Sequence, residues 1–337
     1  MAFGPDVLRI DPREETERIA AFLQDQVKTV YRRNGFVVGL SGGIDSAVMA
    51  ELAVRAVGKD AVAGLVLPER ESNPLSASYA RAHAAKMGIA CREADITATV
   101  DSVMPYAIRD EYIRTLVPEY EPGCTYNITL PTDLLERESF SFYVLQVRLS
   151  DGSIKKKRLG FEAFRAITSF ANIKIRARML HLYHEAESRG SVVAGTTNRT
   201  EYLLGDFCKY GDGGTDVEPL AHLYKNQIYQ LAGHLGVIPE IINRPPSPDT
   251  FSLPVTDQEF FFRIPFDRLD HLLYAWEHAV AVPETASALG LSEDAVKRAF
   301  TDFTAKSRAT AHLRQMPGSI PFGITAQGVG TPPRSPG

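Results

Sequence analysis

The sequence predicts an α/β fold: a doubly wound parallel sheet with helices on both faces, an inserted β-hairpin and a helical C-terminal tail. Three observations carry this. From residue 36 onward, short apolar runs alternate with helical patterns of about 12 residues, the mark of βαβ units. Residues 140–161 alternate apolar and polar side chains on both sides of Ser150-Asp151-Gly152-Ser153, as a hairpin does. Beyond 245–250, a proline-rich stretch, the pattern becomes wholly helical.

The segment from Asp11 to Arg33 places Ile19, Phe22, Leu23, Val27, Val30 and Tyr31 on one helical face, with acidic residues in the first turn. Residues 35–40 form a short apolar run that leads into Ser41-Gly42-Gly43-Ile44-Asp45-Ser46 and then a helical pattern closed by Gly58, which reads as strand, glycine loop, helix. A second strand is expected over 61–68, a helix over 76–88, a third strand over 89–96 and a helix over 101–110. Pro118, Pro122 and Gly123 then break the pattern before the hairpin. A helix is predicted over 171–189, a strand over 191–197 and a helix over 224–237. In the tail, helices are expected over 266–280 and 292–313, the latter opened by a capping box at Ser292.

Length allows one large or two modest domains, since 337 residues exceed the roughly 150 of an average domain. The element order favours one domain over 1–318, with a core at 36–245, an insertion at about 127–168, a helical tail at 251–318 and an unstructured end at 319–337 that has little to bury. With 37 basic and 41 acidic residues, the net charge of −4 gives no reason to expect nucleic acid or an anionic membrane. Cys91, Cys124 and Cys208 form no disulfide framework or zinc-like cluster, and no signal peptide or membrane span is visible, so a cytoplasmic location is expected.

The glycine loop is the most chemical feature. Two glycines let backbone N–H groups point into one concavity, the following helix adds its positive end, and Ser41 and Ser46 add hydroxyls, so a polyphosphate fits. Asp45 is placed to hold magnesium against those phosphates. The lysine of a Walker A loop is missing, and so is GxGxxG. A glycine-rich turn with serine caps is the competing structural reading.

The strand-SGGxDS-helix pattern resembles the pyrophosphate loop of the ATP pyrophosphatase superfamily. Further segments narrow the likeness. Asn172-Ile173-Lys174-Ile175-Arg176-Ala177-Arg178-Met179, Gly195-Thr196-Thr197-Asn198-Arg199-Thr200-Glu201, Lys209-Tyr210-Gly211-Asp212-Gly213-Gly214, Pro219-Leu220 with Leu223-Tyr224-Lys225, and Pro245-Pro246-Ser247 resemble, in order, motifs of the ammonia-dependent NAD synthetases. The resemblance implies a Rossmann-like fold, ATP as co-substrate, Mg2+, and a ligase that adenylates nicotinate adenine dinucleotide and amidates it with ammonia, releasing pyrophosphate and AMP. It implies a homodimer as well. No glutaminase module is visible, and a separate protein delivering ammonia stays open.

By resemblance, Ser41, Gly42, Gly43, Ile44, Asp45 and Ser46 bind pyrophosphate, and Arg70, Arg178, Thr196 and Lys225 contact ATP. Asp45 and Glu201 share the metal. Asn172, Arg176, Lys209 and Asp212 recognise the deamido-NAD substrate, with Asn172 and Arg176 one turn apart on a helix face. Asp45, Lys225 and Asp212 carry the catalysis. For Arg70 and Lys225 the competing reading is a solvated surface charge, for Glu201 a first-turn helix carboxylate, and for Asp212 an Asx turn. Two features depart from the family: the hairpin with its basic run Lys155-Lys156-Lys157-Arg158, and a tail in which Ala311-His312-Leu313-Arg314 is the nearest match to a His-Lys pair. Two alternatives stand beside this reading. A diverged paralogue would act on another carboxylic acid, and a tRNA-modifying ATP pyrophosphatase would need paired cysteines and a basic face.

Overall fold

A computed structural model describes residues 3–138 and 142–318. The first helix, α1 (Pro12–Asp25), is capped by Asp11, whose carboxylate accepts the N–H groups of Arg13 and Glu14. The helix then widens into a π turn over Gln26–Val30. The apolar stripe is narrower than expected: Ile19, Leu23 and Val27 are buried, whereas Phe22, Val30 and Tyr31 face solvent, the last two at and after the π turn.

The core follows in chain order: β1 (Phe36–Gly39), α2 (Ile44–Val57), β2 (Val62–Val66), α3 (Pro74–Met87), β3 (Ala90–Glu93), α4 (Thr97–Val103) and α5 (Tyr106–Leu116). The helix expected over 101–110 is therefore two helices, split at Met104-Pro105, where proline cannot supply an N–H. Next come β4 (Thr125–Thr129), β5 (Val144–Arg148), β6 (Ile154–Arg158), α6 (Phe161–Arg189) and β7 (Val192–Ala194). The chain continues through α7 (Arg199–Leu204), α8 (Lys225–Leu235), α9 (Pro239–Ile242), α10 (Phe266–Glu277), α11 (Val282–Leu289) and α12 (Glu293–Ala309).

Strands β3, β2, β1 and β7 make the parallel sheet in that order, extended by a parallel bridge from Ala194 to Val217. Alternate residues of each strand face opposite sides. Phe36, Val38, Val62 and Val66 pack under α1, α2, α3 and α8, whereas Val37, Ala63, Leu65 and Val193 pack under α4, α5 and α6. The sheet is thus covered on both faces, as predicted, and the loops at the carboxyl ends of its strands converge at one place.

The hairpin is also present, but it is part of a larger unit. Strand β4 pairs with β5 in an antiparallel three-stranded sheet, β4-β5-β6, and α6 begins at Phe161, ahead of the start expected at 171. The prolines before β4 hid a strand whose Tyr126, Asn127 and Ile128 are buried. The basic strand β6 is exposed along its length, and its lysines blunt a sheet edge. In the tail, the Ser292 hydroxyl accepts the N–H of Ala295, which has no carboxylate to return the bond, so this is a simple cap and not a box. Residues 319–337, the segment expected to be unstructured, lie outside the described residues.

Candidate active site

The chain turns between β1 and α2 on a loop that its own side chains pre-set. Ser46 Oγ donates to the Gly43 carbonyl at 3.0 Å and accepts the Ser41 N–H at 3.3 Å, while Ser41 Oγ accepts the Gly43 N–H at 3.1 Å. Gly42 has φ +73°, and a Cβ there would stand 2.2 Å from the Ser76 carbonyl oxygen on α3. Both facts exclude a side chain. Gly42→Ala is therefore expected to displace the loop from α3 and weaken ATP binding about 10-fold or more, with a loss of roughly 1–3 kcal/mol in stability. ATP titration and thermal melting check both effects.

Over this loop lies a cavity of about 460 Å³. Ser41, Gly43, Ile44, Asp45, Ser46, Asn172, Arg178, Thr196, Glu201, Asp212 and Lys225 all line it, so most of the residues singled out from sequence do come together. Gly42, Arg70, Arg176 and Lys209 do not border it. The Arg70 guanidinium lies over the Tyr106 ring at 4.3 Å, facing outward. Arg176 is exposed and donates to the Lys209 carbonyl, although Asn172, one turn earlier, faces the cavity. The Lys209 ammonium donates to the carbonyls of His312 and Gln315, which ties the loop of Asp212 to the end of the tail. Arg314 holds the tail from the other side through the Tyr202 and Ser307 carbonyls.

At the centre stands Lys225, 2% exposed. Its ammonium donates to Asp45 Oδ2 at 2.5 Å and to Glu201 Oε1 at 3.3 Å. Burial works against its charge, but Asp45, Glu201 and Asp257 outweigh that and hold its pKa well above the usual lysine range. The surface-charge reading of Lys225 is excluded. Asn198, unnoticed as a site residue, donates to the other Asp45 oxygen at 2.9 Å and also caps α7, its Oδ1 accepting the Glu201 N–H while Glu201 Oε2 accepts the N–H of Asn198. Glu201 is thus both a first-turn helix carboxylate and a ligand of the central cation. Behind them, the buried Asp270 accepts from the Thr200 hydroxyl and the Asn226 N–H, and Thr200 Oγ1 accepts the Lys225 N–H, so the start of α8 is fixed to α7 and α10.

The cavity carries an excess of acid. Burial raises the pKa of Glu201 and Asp206 well above the carboxylate range, with neighbouring acids adding to it, and brings Asp257 up to about 6. Beneath Gly195, Glu218 is pushed up to about 7 by burial, against hydrogen bonds from Thr215 and Thr197. A carboxyl raised in the folded state contributes stability that is full at low pH and is lost as the pH rises through the folded pKa. Between pH of about 8 and about 6.5, acidification is therefore expected to raise the melting temperature by roughly 2 °C or more, and Glu218→Gln to flatten that slope. His83 and His181, held low by burial, oppose the trend only below their ordinary pKa of 6.5.

A second charged cluster supports the wall. Lys174, 0% exposed, donates to Glu69 Oε1 at 3.0 Å, Glu71 Oε2 at 2.6 Å and the Thr250 carbonyl at 3.0 Å. It joins the loop after β2, helix α6 and the 245–257 segment. Arg109 completes the set with a two-point contact to Glu71. Cys208 lines the cavity, but burial pushes its thiol up to about 11, so it holds no thiolate for nucleophilic work at neutral pH.

No group of three or more His, Cys, Asp or Glu side chains converges as a metal cage among the described residues. Asp45 and Glu201 nevertheless converge on one cationic position, now held by the ammonium, and two carboxylate oxygens of this kind suit magnesium, which binds one or two carboxylates together with substrate phosphates.

The NAD synthase family matches residues 15–117 and 144–317. The NH(3)-dependent NAD(+) synthetase of Rhizobium meliloti (strain 1021) is 41% identical over 317 residues, covering 94% of each chain. Among solved structures, the NMN synthetase of Francisella tularensis superposes with a TM-score of 0.64 at 21% identity, covering 93% of this chain and 100% of the other. An NH3-dependent NAD synthetase from Campylobacter jejuni superposes with a TM-score of 0.61 at 23% identity, covering 92% and 99%. With the family model matched over these residues and a curated relative 41% identical over 94% of each chain, the chain belongs to the NAD synthase family.

Proposed function

We propose that this chain makes NAD by amidating the carboxyl group of nicotinate adenine dinucleotide with ammonia at the expense of ATP. The observation that carries this reading is the convergence of the Ser41–Ser46 loop, Asp45, Glu201 and Lys225 with Asn172 and Asp212 around one cavity. In the first step a carboxylate oxygen attacks the α-phosphorus of ATP, the bond to the bridging oxygen breaks, and pyrophosphate leaves. The loop N–H groups and serine hydroxyls receive the phosphates, and Lys225 releases its carboxylates to follow the departing charge. Asp45 and Glu201 would hold Mg2+, which when bound neutralises charge on the leaving pyrophosphate. Arg178, fixed by the Leu67 carbonyl and Ser72 hydroxyl, and Thr196 border the ATP side.

In the second step ammonia attacks the acyl carbon and AMP leaves. Asp212, whose carboxylate accepts the N–H groups of Cys208 at 2.6 Å and Gly213 at 3.2 Å, is held rigidly at the cavity mouth and takes the proton lost by the incoming nitrogen. Asn172 orients the nicotinate ring. Arg176 and Lys209 act from behind, by fixing the loop that carries Asp212. We place the protein in the cytoplasm as a homodimer using free ammonia, with a separate glutaminase as the other source. The cysteines are unpaired, and no described helix is long and apolar enough to cross a membrane.

Incubation with ATP, magnesium, nicotinate adenine dinucleotide and either ammonia or glutamine, scored for NAD, AMP and pyrophosphate, tests the reading. NAD formation with ammonia is expected. Pyrophosphate release with nicotinate mononucleotide, and none with the dinucleotide, would overturn the choice of acid. Light scattering on a sizing column tests the dimer.

A further inference from the structure

Between β7 and α7 the chain crosses the cavity wall through Gly195-Thr196-Thr197-Asn198. Thr196 lines the cavity, and its hydroxyl makes no hydrogen bond to any described residue. What holds this turn stands behind it. Residues 216–218 run beside β7: the Asp216 N–H donates to the Val193 carbonyl, the Val193 N–H donates to the Asp216 carboxylate at 2.8 Å, and the Gly195 N–H donates to the Val217 carbonyl at 2.8 Å. Glu218 is thus carried on backbone that is fixed to the central sheet.

From there the Glu218 side chain reaches three donors. Its Oε2 accepts the Thr197 N–H at 3.2 Å, and its Oε1 accepts the hydroxyls of Thr197 at 3.3 Å and Thr215 at 2.9 Å. The carboxyl group also fills the space in front of Gly195, where a Cβ would fall on its carbon and both oxygens. Its partners are all neutral, and among the described residues no lysine or arginine forms an ion pair with it. The side chain is a connector. One set of its bonds fixes the turn on both sides of Thr196, and the other fixes Thr215, which follows the loop of Asp212. Glu218 itself does not border the cavity.

We propose that Glu218 is a positioning residue for ATP: it braces the turn at 195–197 from behind, so that the unengaged Thr196 hydroxyl is held toward the nucleotide, and it locks that turn to Thr215. The inference rests on the reading of Thr196 as an ATP contact given above. Reach and hydrogen bonding carry the role, not charge. Glutamine has the same reach: its carbonyl can accept the Thr197 N–H, and its amide can donate to the two threonine hydroxyls, which accept as well as donate. Leucine offers no acceptor and leaves three donors against an apolar group. Aspartate keeps the charge and is one methylene short.

The test is a titration with ATP and magnesium, with no acid substrate present, of wild type, Glu218→Gln, Glu218→Leu, Glu218→Asp and Val296→Ala, the last a control for general loosening in the buried core of the tail. Glu218→Leu and Glu218→Asp are expected to weaken ATP about 5- to 150-fold, the range set by buried donors left without an acceptor. Glu218→Gln should stay within about threefold of wild type, and Val296→Ala should lower the melting temperature with ATP affinity unchanged. In the Thr196→Val background Glu218→Leu should cost less affinity than in wild type, because the contact it positions is already gone. Thermal melts establish that each variant is folded at the titration temperature, and Glu218→Asp carries the comparison if Glu218→Leu is not. Wild-type affinity in the leucine and aspartate variants, a glutamine variant as weak as the leucine one, equal weakening in Val296→Ala, or full additivity with Thr196→Val would each overturn the proposal. NAD formation is scored separately. A protein that makes no NAD but binds ATP in this Glu218-dependent way refutes the reaction and keeps the brace, whereas NAD formation with ATP affinity indifferent to Glu218 refutes the brace alone.

Discussion

Asp45→Asn is expected to cut pyrophosphate release about 1,000-fold or more while the melting temperature of the ligand-free protein stays level or rises. Two effects of one carboxylate separate here. In the mechanism proposed above, Asp45 supplies negative charge at the position where the loop, α2 and the leaving pyrophosphate meet, and an amide cannot replace that charge. Without substrate, Asp45 is one of several acids around a single ammonium. Its charge raises the pKa of Glu201 and Asp257, a sign that each resists ionising beside it. Asparagine keeps the shape, and Lys225 keeps Glu201 at 3.3 Å. Relief of like-charge repulsion then offsets the lost ion pair. A pyrophosphate assay and a melting curve on the same preparation decide it. Turnover within tenfold of wild type would remove Asp45 from the role of phosphate and metal partner.

The glycine loop between β1 and α2 was legible because its signal is local: an apolar strand, two glycines and a helix start in adjacent residues. The parallel sheet was legible for the same reason, each strand being a short continuous apolar run. Burial of charge was not. Glu69-Arg70-Glu71 lies in a turn closed by the Ser72 N–H on the Glu69 carbonyl, and in it both acids reach Lys174 while the arginine lies over the Tyr106 ring. Sequence motif position favoured the arginine as the ATP contact, and nothing local shows that Lys174, 103 residues from Glu71, completes the buried set. Asn198 could have been found: asparagine three residues before Glu201 is a capping signal, and a side chain that caps α7 beside Glu201 stands next to whatever Glu201 binds. Asp206 and Asp257 could not, because they gain meaning only when the tail and the 245–257 segment fold over the cavity. Strand β4 was hidden by flanking prolines, whose effect on the chain stops at Glu121-Pro122-Gly123.

Lys225→Met should abolish turnover by a comparable factor, about 1,000-fold, and in contrast to Asp45→Asn it should destabilise the protein by about 3–5 kcal/mol at neutral pH. Methionine fills the volume of the stem but leaves Asp45 Oδ2 and Glu201 Oε1 facing one another across an empty charge position, with Asp257 nearby. Carboxylates in that setting bind protons more tightly in the folded than in the unfolded chain, so the lost stability returns as the pH falls toward about 5, where a shared proton stands in for the ammonium. Magnesium should raise the melting temperature of Lys225→Met more than that of wild type, because it meets the same two carboxylates without having to displace a lysine. The double variant Asp45→Asn/Lys225→Met should be more stable than Lys225→Met alone, since the amide removes half of the exposed repulsion. The gain from Asp45→Asn is expected to be larger in the Lys225→Met background than in wild type; if it is the same in both, the three side chains do not act as one charge-balanced unit, and the account of Lys225 as the mobile counterion of Asp45 and Glu201 fails.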